Sequence, residues 1–321
     1  MKVNLKNLIV ASIILALSAG IGCKKDSTTA PATNTSAGSA DNYSSVQDFF
    51  AKNAVQMQTF TISGTTGGSF TTPQGTKVNV PANAFLDKSN NPVTGNVTIE
   101  FKDIYQRSDM LLSDVPTMLA GGKPLKSGGE FFIRAKSGGL AVHLAAAKGI
   151  SVNQPLSGWP ADNNMAAFKK DTLGNWVPPF DSSFAGYDSA LSSYVFNLYQ
   201  FNSPVDSGSW CNSDNSAYFS AFTQTTLTLK GNDSASTYGT NVFLVFHGLN
   251  SMVHVYNGGY SSFPYAYAPL GLQCTLVAIG VKNKALYSAF VPITIGSNQV
   301  VNFTLAPTTT PAFKAQLAAV K

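Results

Sequence analysis

The chain is poor in residues that do chemistry. Three histidines (His143, His247, His254), two glutamates (Glu100, Glu130) and three cysteines (Cys23, Cys211, Cys274) hold much of the acid–base, nucleophilic and metal-binding capacity of its 321 residues. None of the histidine pairs has the short spacing of a preorganised zinc site. His143 falls on the polar phase of an alternating strand and His254 lies between Val253 and Val255, so both are expected to point away from a core. The aspartates are scattered through loops, and no carboxylate pair is identifiable as acid and base. The run Trp210-Cys211-Asn212-Ser213-Asp214-Asn215 is rich in oxygen ligands. It lacks the glycine and terminal glutamate of an EF-type calcium loop, and reads as an Asx turn beside a packed tryptophan. HExxH, CxxC, GxSxG and phosphate-cradling glycine loops are missing from the sequence. No catalytic residue, metal or cofactor is therefore assigned.

Recognition chemistry is easier to place. Between Tyr256 and Tyr267 stand four tyrosines and a phenylalanine (Tyr256, Tyr260, Phe263, Tyr265, Tyr267) interleaved with Gly, Asn and Ser. Such a loop offers rigid amphipathic contact area for a glycan or a protein, with few rotors to freeze. The competing reading is that Tyr265 and Tyr267 share one phase of a strand and cover the edge of a core.

Only 12% of residues are charged and the formal net charge is +5, two units of it from Lys2 and Lys6. With two arginines, Arg107 and Arg134, and no basic cluster interleaved with aromatics, a nucleic-acid partner is excluded. Lys2 and Lys6 precede an uncharged run from Leu8 to Gly22, too short to span a bilayer comfortably. Gly20-Ile21-Gly22-Cys23 resembles a bacterial lipobox, although Gly20 stands where leucine is usual. The resemblance implies cleavage before Cys23, thioether linkage of its sulfur to diacylglycerol and acylation of its amine, for example with palmitate. Cys23-Lys24-Lys25-Asp26 is similar to the export signal of surface lipoproteins in Bacteroidota-type bacteria. An outer-membrane lipoprotein on the periplasmic or surface face follows as an expectation.

Organisation follows in order. Residues 1–22 read as a signal peptide. Residues 23–55 read as the lipidated cysteine and a disordered tether of Ser, Thr, Ala, Asn, Gly and Pro, ending in a short helix bearing Val46, Phe49, Phe50 and Val55. From 56 to 156, period-two strands predict a β-sandwich: Val97, Ile99 and Phe101 alternate with polar residues, and Leu140, Val142 and Leu144 alternate with Ala141 and His143. Residues 157–222 read as a β-rich connector, with a hairpin joining Met165–Phe168 to Trp176-Val177. Residues 223–321 predict a second sandwich and a short closing helix carrying Phe313, Leu317 and Val320 on one face. The fold class is all-β. Cys211 and Cys274, in an oxidising compartment, either form one disulfide or pack as two separate buried thiols.

The segments Gly67-Gly68-Ser69-Phe70, Pro73 to Phe85 and Val93 to Ile99 resemble the ZU-type domain, a β-sandwich of ankyrins and netrin receptors used for protein contacts. Pro269-Leu270-Gly271 and the run Cys274 to Ile279 are similar to carboxypeptidase regulatory-like and transthyretin-like domains. These resemblances imply a non-enzymatic envelope protein for recognition or assembly, held to the membrane by its lipid. Two alternatives stay open: a carbohydrate-binding surface lipoprotein centred on the tyrosine-rich segment, or an envelope hydrolase whose site is assembled from distant loops. The anchor is directly testable. Cys23→Ser should release the protein from the membrane fraction or leave its leader uncut, whereas a cleaved variant that stays membrane-bound would rule out lipidation there.

Overall fold

The computed structural model describes residues 41–171, 173–178, 184–198, 208–232, 239–259 and 261–321. The leader, Cys23 and the tether lie outside the described residues, as does Tyr260. The fold is all-β, two sandwiches with a short C-terminal helix.

In the first sandwich the larger sheet runs Gln58–Ser63, Asn96–Ile104, Lys126–Ser137, Ser209–Asn215, Ala166–Lys170, Trp176–Val177, with Leu140–Ala141 beside Lys126–Ser137. Facing it is the order Phe184–Asp188, Ser193–Leu198, Ile150–Pro155, Lys77–Val80, Gly68–Thr71. The alternation delivers Val97, Ile99, Phe101, Phe131 and Ile133 from one sheet onto Val78, Val80, Val152 and Phe196 from the other. The stretch 157–222 is β-rich, but it is no connector. Its strands are built into both sheets of this first sandwich, and Ser209–Asn215 sits between Lys126–Ser137 and Ala166–Lys170. Sequential pairing could not show this, because the strand it joins lies about eighty residues earlier in the chain. The expected strand through Leu140 is also broken. Leu140–Ala141 pairs back on Lys136 and Ser137, while His143–Leu144 pairs with Phe85–Leu86. Leu140 is left 67% exposed as Val142 and Leu144 stay buried.

The second sandwich has one sheet in the order Met252–Val255, Asn241–Phe246, Gln273–Lys282, Ala285–Thr294, Ala306–Pro307. Its partner sheet, Ser262–Pro269, Gln224–Gly231, Gln299–Phe303, contains a parallel pair between the last two. Asn241–Phe246 and the middle of Gln273–Lys282 read as unbroken apolar runs because both of their faces are covered. Val242, Leu244, Phe246, Leu276 and Ala278 fill the second core. Phe243, Val245, Val277 and Ile279 turn the other way, into a third.

Helices roof that third core. Ser45 caps Val46–Asn53 by accepting from Asp48 N, with an Asp48–Lys52 pair one turn on. Thr309 caps Thr310–Ala318 by accepting from Ala312 N. A third helix, Arg107–Leu112, escapes sequence reading because six residues give too little periodicity, and the Gln106 side chain does not cap it. Phe49, Phe50, Met110, Leu111, Phe313 and Leu317 from the three helices meet Ile104 of the first sandwich and Phe243 of the second. Phe49 packs edge-on to Phe313 at 5.5 Å and Phe50 edge-on to Phe243 at 6.1 Å. Polar clasps cross at the same place. Arg107, from the first sandwich, donates to Phe246 O and to Val320 O, and Thr117 exchanges hydrogen bonds with the backbone of Met252. The described residues belong to one compact unit.

Candidate functional site: the seam between the sandwiches

Where the second sandwich meets the outer face of the first, the larger sheet turns unusual side chains away from its own core. On Lys126–Ser137 these are Glu130, Phe132 and Arg134, opposite Asn212 and Trp210 of Ser209–Asn215. Next to them come Phe168 and Lys170, and then Trp176. Trp176 is buried against Leu125 and Phe168 and donates from Nε1 to Pro116 O at 2.9 Å. Trp210 stands edge-on to Phe132 at 5.5 Å and packs against both neighbouring apolar clusters.

Lys170 lies over both indoles, its Nζ 5.0 Å from the Trp176 ring and 5.3 Å from that of Trp210. Burial pushes its ammonium below the usual lysine range, while the charges of Glu130 and Asp114 pull it back. Glu130 is fully buried, and burial holds its carboxyl well above the usual range, with Lys170 opposing the shift and Asp214 adding to it. Asp214, equally buried, is shifted upward for the same reason, eased by the nearby Ser127 hydroxyl, whose own hydrogen bond goes to Asn212. Among the described residues, no oxygen of either carboxyl has a hydrogen-bond partner and neither carboxyl forms an ion pair. Among the described residues, no group of three or more His, Cys, Asp or Glu gathers where it could hold a metal.

The segment expected to be a recognition loop divides. Ser262–Pro269 is a strand whose Phe263 and Tyr265 are buried in the second core, Tyr265 donating to Gly122 O at 3.0 Å. A register shift between Thr225 and Leu227 on the neighbouring strand breaks the alternation, so Tyr267 is exposed although it sits two residues on. Phe263 and Tyr265 are thus core residues and not contact residues. Tyr256 is more exposed than Tyr267, at 62%. Its ring lies 4.6 Å from His254, which stacks at 4.7 Å on the buried Phe243. His254 therefore does not point to solvent as the alternation suggested, because the face of Met252–Val255 that looked polar is covered by the third core. Asp114 reaches both Tyr256 and Lys170 electrostatically, which places the tyrosine at the mouth of the seam.

The remaining candidates are accounted for separately. Cys211 lies in the first core and Cys274 in the second, so they are not bridged. Burial lifts the Cys274 thiol to about 12. Trp210 to Asn215 is a central strand and not a loop, its Asn212 and Asp214 inaccessible to solvent. Only Asn215 makes the expected turn, accepting from Ala217 N and Tyr218 N. His143 bonds Asn90 and His247 bonds Thr275 at 2.8 Å, so the histidines share no site. Sequence reading missed Glu130, Lys170 and Asp114. The only available signal was a glutamate in a strand otherwise read as core, since their convergence depends on the second sandwich.

No family model matches the chain, and neither the curated proteins nor the solved structures include one that matches.

Burial pushes His254 down to about 4, against 6.5 for an ordinary imidazole. The unfolded chain therefore takes up this proton first as pH falls, and stability is lost between those two values. Relative to His254→Phe, which keeps the stack, the wild type should lose roughly 2 kcal/mol between pH 7 and pH 5. Glu130 and Asp214 titrate with the opposite sign, and the comparison cancels their share. Denaturant titrations at the two pH values measure the difference, and equal pH slopes for both proteins would show that the imidazole is not desolvated.

Proposed function

We propose that this chain is a lipid-anchored, non-enzymatic protein of the outer membrane that binds an envelope protein through the face around Tyr256. The observation that carries this reading is the three-ring stack: buried Phe243, half-buried His254, then an exposed tyrosine. A contact aromatic held by such a stack loses little conformational freedom on binding, so more of its contact energy appears as affinity. Asp114, which reaches Tyr256 electrostatically, adds a carboxylate to the same face. The lipobox-like Cys23 supports the location, and the likeness of the first sandwich to ZU-type domains supports a protein as the partner.

The test uses the soluble form starting at Lys24 to capture material from envelope extracts. Tyr256→Ala should weaken capture of the principal bound protein about thirtyfold, with an unchanged melting temperature. Undiminished capture by the variant would remove Tyr256 from the contact. Capture that survives protease treatment of the extract but not glycosidase treatment would overturn the protein partner in favour of a glycan.

A further inference from the structure

Beneath the Tyr256 face, the seam holds two buried carboxyl groups whose oxygens its own residues leave without hydrogen-bond partners. We propose that it binds a hard divalent cation of the calcium class between Glu130 and Asp214. Strand register brings the two carboxylates together. Asn212 pairs directly with Glu130, and Asp214 pairs with Ser127 across a bulge, which makes Glu130 and Asp214 diagonal neighbours on one face of adjacent strands. Such neighbours lie about 7–8 Å apart between Cα atoms, within reach of one ion for side chains of this length.

The same face carries further unused polar atoms. All four carboxylate oxygens are inaccessible and without a partner, and so is Nδ2 of the fully buried Asn212. Ser127 donates its hydroxyl to Asn212 Oδ1 at 2.8 Å. Turning that amide over would give Nδ2 to the hydroxyl and Oδ1 to the cluster. From the second sandwich, Asn250 accepts Ser127 N on its carbonyl at 2.9 Å and brings to this spot a buried side-chain amide with both polar atoms unpartnered. The carboxylates and the Asn250 oxygen offer five oxygens, suited to an ion that takes six to eight and completes its shell with water. Lys170 does not substitute for the ion. Its ammonium is engaged by two indoles and forms no ion pair with either carboxylate. Two unpaired buried carboxylates are unfavourable, and a bound cation removes that penalty while tying Asn250 of one sandwich to the sheet of the other.

The test is thermal unfolding of the soluble form after EDTA treatment, with calcium chloride then added back. Calcium at a hundredfold excess over its dissociation constant should raise the melting temperature by about 5 °C. Glu130→Gln and Asp214→Asn should each abolish the rise. Should either variant fail to fold, terbium binding to the wild type decides, since terbium takes the same ligands and should luminesce on tryptophan excitation and be displaced by calcium. A wild-type melting temperature unmoved by calcium, together with no terbium signal, would overturn the proposal. So would variants that are stabilised equally in EDTA and in calcium, because the carboxyls would then simply carry protons.

Discussion

Phe49 sits where three elements far apart in sequence meet: its own helix near the start of the described chain, the C-terminal helix through Phe313, and, through Phe50, the outer face of the second sandwich. That outer face is apolar. Phe243, Val245, Val277 and Ile279 would expose a contiguous hydrophobic patch if it stood alone. The helices and Ile104 of the first sandwich cover it, so neither half can be completed without the other.

The seam follows from this constraint. Once the second sandwich is pressed against the larger sheet of the first, residues on a face that would otherwise be wet become enclosed. Glu130, Asp214, Asn212 and Lys170 lose their water, and the upward shift of the carboxyls and the downward shift of the ammonium both express that loss. The same docking buries His254 and leaves Tyr256 at the rim, its ring fixed from behind. Contact surface and polar interior are two depths of one junction.

The sequence revealed local structure far better than junctions. Alternation and turn residues located Asn96–Ile104, Asn241–Phe246, Gln273–Lys282 and the hairpin of Ala166–Lys170 with Trp176–Val177, because each signal lies within a dozen residues. One apolar face located both terminal helices. Whatever depended on distant pairing was hidden. Ser209–Asn215 looked like a loop because its Asn, Ser and Asp are turn formers, yet it is a central strand whose Asn212 and Asp214 lie on the face turned to the other sandwich. His254 looked solvent-facing because alternation shows two faces without saying that both are covered. The tyrosine-rich segment looked uniform, and a single register shift sorted it into core and surface.

The central claim is that a shared apolar core makes the two sandwiches one cooperative body. Differential scanning calorimetry of the soluble form tests it most directly. The account predicts a single transition whose calorimetric and van't Hoff enthalpies agree. Two resolved transitions, one for each sandwich, would contradict it.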